Sequence, residues 1–325
     1  MNNKTRKLFT FLSAVVFLTS CNRSYEELPD KYILMPSGAP TLAAYKLIND
    51  DKVNILTDAS SIPAAFSLGK SPFIVFDSLK ALNILKKQDE NAKYKYVKML
   101  TGGNFHLLAF NKTQEEVENL SISDKDVVYG FQKGNTPDLL FKKLFKDAGE
   151  CDVYFNSISD LNAKLSTMNK EYKIDNTVVN YAIVAEPACT VIKAKLTSKN
   201  LVVQDIDLQK EFKNKVTGWD KDYIPQAGLF IRNDVSERSL LYKTVIEQIS
   251  LSIDNVLRDS KAVQQEILDK FEDQNQVGQS HYGFLPTIIT KVQGDDGSKN
   301  GFGIVPNDVV FEESDINNFG SLLAK

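Results

Sequence analysis

The chain has 325 residues, 42% hydrophobic and 25% charged, with 39 basic against 42 acidic side chains and a formal net charge of -3. These proportions exclude collagen-like, low-complexity and wholly disordered chains, and they leave no strongly basic face for nucleic acid. The length suits two domains, each large enough to bury its own core. Two separated histidines, His106 and His281, and three cysteines without a CxxC pair give a Cys/His zinc site almost no ligand supply, so neither metal nor cofactor is expected.

At the N-terminus, Lys4, Arg6 and Lys7 precede an apolar run over 8–18, which Leu18-Thr19-Ser20-Cys21 closes. A basic start, a short apolar stretch and small residues before a cut describe a secretory signal over 1–21, too short to span a bilayer as a helix. The LTSC tetrad resembles a bacterial lipobox, in which cleavage leaves Cys21 first and lipid is attached to its thiol. Two acyl chains, each buried methylene contributing about 0.8 kcal/mol, would hold the protein on the extracytoplasmic face of a membrane. Residues 22–30, polar and proline-containing, read as a tether. Cys151 and Cys189 are either a disulfide in an oxidising compartment or two small buried apolar residues.

Beyond the tether, apolar runs alternate with helical spacing. Strands are expected at 32–35, 53–56, 73–76, 94–100 and 104–110, and helices at 40–49, 62–69 and 79–87. A second unit follows with strands at 126–131, 153–155, 178–185 and 201–206. Its helices are expected at 139–149, after Ser157, and after Glu186-Pro187. A strand at 228–232 returns to the first unit, two long helical patterns cover 235–254 and 259–271, and the tail 272–325 has poor periodicity. Alternating strands and helices predict an α/β fold with parallel pairing.

Three strand-to-helix turns share one design: 35–41, 76–78 and 130–138. Each leaves unpaired N–H groups at a helix start, with small residues that let a ligand approach the backbone. In open α/β sheets, ligands collect beyond the carboxyl ends of the strands, and a cleft between two such units is a natural small-molecule site. Each turn taken singly is equally an ordinary capped helix start.

The strings MPSGAPTLAAYKLIN (35–49) and PAAFSLGKSPFIVFDSLKALNILKK (63–87) resemble the opening of periplasmic-type solute-binding proteins, in particular the sulfonate, nitrate and thiamine-precursor group. Gly38, Gly69 and Asp77 occupy the places of its small-residue loop, helix stop and second loop. GNTPDLLFKKLFKDAG (134–149) resembles the opening of the second lobe, and YAIVAEPACTVIKAK (181–195) its strand with a Glu-Pro helix start. The resemblance covers 31–271 and implies a two-lobed type 2 periplasmic binding protein fold with hinge strands near 124–130 and 224–232. Lobe one would then comprise 31–126 plus 229–325, and lobe two 127–228. The long tail departs from that pattern.

The same resemblance nominates Ser37, Gly38, Ala39, Thr41, Asp77, Ser78, Gly103, Asn104, Asn135, Thr136 and Glu186 as ligand contacts. Amide and hydroxyl donors suit an anionic group, whereas Asp77 and Glu186 suit a cation or a donor-rich ring. Glu186 also reads as a carboxylate that stabilises a helix start without any ligand. Trp219 reads as core, and His106 as a structural histidine in a strand. The implied role is a monomeric, non-enzymatic receptor that hands a small solute to an ABC permease and its ATPase. A pyrimidine-synthase-like enzyme of the same fold lacks its cysteine-rich motif and histidine here, and no GxSxG hydrolase signature occurs. A surface lipoprotein that binds another protein is the remaining class.

Overall fold

A computed structural model describes residues 30–56, 59–271 and 282–324. The signal segment, Cys21, nearly all of the tether and His281 lie outside these residues. Among the described residues, no helix is long and apolar enough to cross a membrane.

Apolar runs become the strands. In the first half these are β1 (Ile33–Pro36), β2 (Val53–Leu56), β3 (Phe73–Asp77), β4 (Tyr94–Thr101) and β5 (Phe105–Phe110). Helices α1 (Ala39–Leu42), α2 (Tyr45–Asn49), α3 (Ile62–Leu68), α4 (Ser78–Gln88) and α5 (Gln114–Glu118) connect or follow them. The helix expected over 40–49 is two short pieces, because Ala43 and Ala44 depart from helical pairing. Next come β6 (Val128–Phe131), α6 (Thr136–Leu144), β7 (Val153–Phe155), α7 (Ile158–Leu165) and the small hairpin β8 (Lys173–Ile174) and β9 (Thr177–Val178). They are followed by β10 (Tyr181–Ala185), α8 (Ala188–Ser198), β11 (Val203–Asp207), α9 (Leu208–Lys215) and β12 (Ala227–Arg232). Helices α10 (Leu240–Arg258), α11 (Ser260–Lys270), α12 (Ile289–Gln293) and α13 (Glu313–Ala324) complete the chain.

Two five-stranded sheets form, ordered β2-β1-β3-β12-β4 and β11-β5-β10-β6-β7. Read from opposite ends, they have the same plan. Parallel pairs β2-β1-β3 and β7-β6-β10 are each followed by one antiparallel visitor from the other half, β12 or β5. The chain therefore passes between the two sheets twice, after β4 and before β12. The expected lobe boundary at residue 126 leaves β5 in the first lobe, whereas its pairing with β10 and β11 puts it in the second. The first crossing thus lies at 102–104 rather than near 124–130. The second runs through 216–226, overlapping the start of the expected 224–232.

The crossings lie side by side. A Cβ on Gly102 would sit 2.5 Å from the Ile224 carbonyl, and one on Gly103, whose φ is +78°, would fall inside the Gln209 side-chain amide. The backbone carbonyl requires glycine at 102, and the positive φ favours it at 103, where the Gln209 amide end can move aside.

The first sheet is buried on both faces. Leu34, Ile74, Phe76 and Phe230 enter one apolar cluster, which continues into the second sheet. Their alternates Ile33, Met35, Phe73, Val75, Leu229 and Ile231 enter another, beneath α10 and α11. The two-residue period of the strands divides them this way.

The tail has a defined place. Tyr282, Phe284, Phe302 and Ile304 join the second cluster, and Ile304 bridges Thr101 at the end of β4. Helix α13 packs against α4 of the first lobe and α6 of the second, so it straddles both. Trp219 is core, as expected. Its ring centroid lies 5.5 Å from Phe319 of α13, 6.3 Å from Phe212 of α9 and 6.4 Å from Phe311. Cys151 and Cys189 are free and buried, the second of the two sequence alternatives.

Candidate functional site

The register places a row of polar residues along the edge of the first sheet that faces the second lobe. Ala227, at the start of β12, lies opposite both Asp77 at the end of β3 and Thr101 at the end of β4. Gln226 immediately precedes that strand, and Ser78 N–H donates to its carbonyl at 2.8 Å. Asp77, Ser78, Gln226 and Thr101 therefore share one edge, the position at which open α/β sheets collect ligands.

Asp77 caps α4, its Oδ1 accepting from the Lys80 N–H at 2.8 Å. Its Oδ2 accepts from the Thr136 hydroxyl at 2.7 Å, across the gap between lobes. Beside this bond, Lys80 Nζ donates to Asn135 Oδ1 at 3.0 Å. Asn135 and Thr136 begin α6, where Pro137 suits the first helical turn. Burial pushes the Asp77 carboxyl above its ordinary value, against the opposing pull of the Lys80 amide and the Thr136 hydroxyl.

The row continues through the first crossing. Gln226 Nε2 donates to Asn104 Oδ1 at 2.5 Å. The Asn104 carbonyl accepts from Glu186 N–H at 2.9 Å, and Asn104 Nδ2 donates to the Glu186 carbonyl at 3.4 Å. A polar seam thus runs from Thr136 through Asp77, Ser78, Gln226 and Asn104 to Glu186.

Several atoms on this seam are buried without a hydrogen-bond partner among the described residues: Ser78 Oγ, Thr101 Oγ1 and Gln226 Oε1. Buried polar atoms are ordinarily paired, so each costs on the order of 1–3 kcal/mol until a partner arrives.

The nominated residues do not all lie in one place. Asp77, Ser78, Asn104, Asn135 and Thr136 lie on the seam. Gly103 lies in the crossing, closed off by Gln209, whose Oε1 accepts from Ile224 N–H at 3.1 Å. The first loop is different. Gly38 N–H donates to the Tyr282 carbonyl at 3.0 Å, and the Thr41 hydroxyl donates to the carbonyls of Gly38 and Tyr282 at 2.7 and 3.0 Å. Gly283 is seated on Ser37, and Ala39 is buried in the core. The donors expected to cradle a ligand at Ser37–Thr41 therefore meet the chain's own tail.

Glu186 is also engaged at home. Its carboxylate accepts from Thr190 N–H at 3.0 Å and from the Thr190 hydroxyl at 2.8 Å, the helix-start role that was its alternative reading. It also gathers with His106 and Cys189, the three donor atoms lying within 4.8 Å of one another. His106 is not the satisfied structural histidine expected of it. Its Nδ1 is buried without a hydrogen bond, and the nearest carboxylate, Asp205, stands 3.9 Å away. Burial, and then the neighbouring Glu186 carboxylate, hold the Cys189 thiol well above its ordinary value.

Sequence reasoning missed Gln226, Lys80, His106 and Cys189. Gln226 belongs to no motif, and the only available signal was its place just before the returning strand. A surface cavity of about 490 Å³ lies away from the seam, at the free edge of β4, lined by Tyr96, Val97 and residues 310–314.

Two α/β sheets joined by two crossings, with a polar seam between their carboxyl edges, constitute the periplasmic-binding-protein fold. Solved structures agree. An ABC transporter protein from Parabacteroides distasonis is similar, with 15% identity, TM-score 0.60, and 91% of this chain and 92% of that one covered. The ligand-binding component of an ABC-type import system from Staphylococcus aureus, solved with zinc bound, gives 11% identity, TM-score 0.56, and coverage of 90% and 91%. The periplasmic aliphatic sulphonate-binding protein SsuA from Escherichia coli gives 14% identity, TM-score 0.53, and coverage of 91% and 86%. No protein-family model matches the chain, and no curated protein sequence is similar to it.

Proposed function

We propose that the chain is the solute-binding receptor of an ABC importer. It would be held by lipid on Cys21 to the extracytoplasmic face of the membrane and would act as a monomer without enzymatic activity. A small polar or anionic solute, of the sulfonate, nitrate or thiamine-precursor class, occupies the cleft between the lobes. The closed form then docks on a permease driven by its ATPase.

The observation that carries this reading is the row of unpaired buried atoms, Ser78 Oγ, Thr101 Oγ1 and Gln226 Oε1, on the edge where the lobes meet. A solute with several polar atoms would pair them. Two hydrogen bonds join the rims of the seam without solute, Thr136 to Asp77 and Lys80 to Asn135, and both break when the lobes part. Closure then follows from a ligand that bonds both walls, because only differential contacts shift such an equilibrium. With Asp77 already bonded to Thr136 and Lys80 at the rim, the balance of charge favours an anion over a cation. The printed role of one similar structure, a sulphonate-binding protein, points the same way.

The test is native mass spectrometry of the full chain in mild detergent, followed by denaturation to release bound solute. One small molecule per chain is expected. Added sulfonate, nitrate or a thiamine precursor should then raise the melting temperature, since a ligand at about 100 times its Kd adds about 2.7 kcal/mol. Asp77→Ala and Thr136→Ala should each weaken that binding while the chain stays folded. An empty chain that no member of the panel stabilises would overturn the reading.

A further inference from the structure

The second sheet contains a cluster that the solute cleft does not use. His106 on β5 lies directly opposite Val184 on β10. Glu186 stands two residues beyond Val184 and so falls on the same face of the sheet, diagonally beside His106. Helix α8 begins at once, and its first turn brings Cys189 back over that face, where it is fully buried. Three donors distant in sequence thus converge, with one ligand atom from each within 4.8 Å of the others.

We propose that His106, Glu186 and Cys189 form a binding site for a divalent cation of the zinc class in the wall of the second lobe. The donor set supports this. Imidazole, thiolate and carboxylate together suit zinc, which takes three protein ligands and leaves a fourth position open to water or another donor. Bond lengths of about 2.0–2.3 Å place tetrahedral ligand atoms roughly 3.3–3.6 Å apart. Small side-chain rotations bring the present spacing to that value.

The charge balance fits a buried place. A dication with one carboxylate, one thiolate and a neutral imidazole is electroneutral. The thiol proton leaves to solvent on binding. Asp205 and Lys193 are paired with each other alongside and stay neutral as a pair.

The surroundings also fit. Thr190 holds the Glu186 carboxylate with two hydrogen bonds, at 3.0 and 2.8 Å. Partners that orient the ligands in this way accompany most metal sites. The cation would give the His106 ring the partner it lacks. Because Asn104 bonds the Glu186 backbone, the cation would also stiffen the lobe wall next to the first crossing.

The site is independent of the solute reading and is tested without solute. The full chain is stripped of metal by chelator dialysis and titrated with Co2+ as a spectroscopic stand-in for zinc. One equivalent should bind, with a near-ultraviolet thiolate-to-cobalt absorption that one equivalent of Zn2+ abolishes. Cys189→Ser, which barely changes volume, should remove that absorption and weaken Zn2+ binding at least about a hundredfold. His106→Gln should weaken binding but retain the thiolate signature. Cys151→Ser and Cys21→Ser should change neither. A wild-type chain that shows no such absorption at stoichiometric Co2+, or an absorption that survives Cys189→Ser, would overturn the proposal.

Discussion

The loop after β1 and the loop after β3 begin alike and end differently. Both follow a buried parallel strand, both carry small or hydroxyl residues, and both lead into a helix. After β3, Asp77 reaches across to Thr136 in the other lobe at 2.7 Å. After β1, Gly38 and Thr41 turn instead to the carbonyl of Tyr282, about 240 residues later in the chain. Local sequence specifies that a helix starts and that N–H groups are left over there. It does not specify whether a ligand, the opposite lobe or the chain's own tail takes them.

The contrast can be broken most forcefully at the tail. Tyr282 is fully buried against Phe271 and Phe284, and its hydroxyl donates to Asn49 at 2.7 Å. Tyr282→Ala should cost about 3–5 kcal/mol, as for other large aromatic truncations in a core. Urea unfolding measures this directly. A loss below about 1 kcal/mol would mean that the tail is not part of the core and that the first loop is free to meet a ligand. Smaller, but still large, is the effect expected at the first crossing. Gly103→Ala places a Cβ at positive φ and against Gln209, and the backbone conformation alone costs about 1–2 kcal/mol. Combining it with Gln209→Ala should recover the steric part and leave the backbone part. Full recovery in the double variant would show that the φ at Gly103 is not a constraint.

These particular residues also show what the sequence made legible. The β3–α4 unit was plain, because an unbroken apolar run followed by an aspartate cap has few other readings. The passage from one sheet to the other was not. Thr101-Gly102-Gly103 between two apolar runs reads as a link between neighbouring strands, yet β4 and β5 enter different sheets, and only long-range register distinguishes the two cases. Most of the tail lacked periodicity because Tyr282, Phe284, Phe302 and Phe311 fill gaps between existing elements, and only α13 presents a helix face, of Ile316, Phe319, Leu322 and Leu323. Of the seam, Asp77, Ser78, Asn104, Asn135, Thr136 and Glu186 were nominated from helix-start chemistry and the family resemblance. Gln226 was not, since a glutamine before a strand carries no local signature. His106, Glu186 and Cys189 met only through the antiparallel register of β5 with β10.

The next effect is a pH dependence at Asp77. Burial raises its carboxyl above the ordinary value, so the folded chain holds that proton more tightly than the unfolded chain does. The corresponding stability is present at acid pH and is lost as pH rises from the unfolded value, about 3.9, through the folded one. Asp77→Asn keeps an acceptor for the Lys80 amide and the Thr136 hydroxyl but cannot titrate. The stability of this variant relative to the wild type should therefore rise with pH across that window. A difference that stays flat from pH 3 to pH 7 would mean that closure does not desolvate this carboxyl.

The smallest stability effect belongs to the neighbouring contact, and it separates a structural role from a binding one. Lys80 Nζ to Asn135 Oδ1 is an exposed bond between flexible side chains. Such contacts gain little net energy in water, because ordering both side chains offsets most of the attraction. Lys80→Met should therefore change unfolding free energy by no more than about 0.5 kcal/mol. Its effect on solute should be larger. A cation at the mouth of a closing cleft is partly shielded from solvent when an anion is bound, so affinity should fall about tenfold and become less sensitive to salt. Unchanged affinity together with unchanged stability would confine Lys80 to the solvated rim. The choice between an anionic and a neutral solute would then rest on Ser78, Thr101 and Gln226, whose unpaired atoms accept or donate without carrying charge.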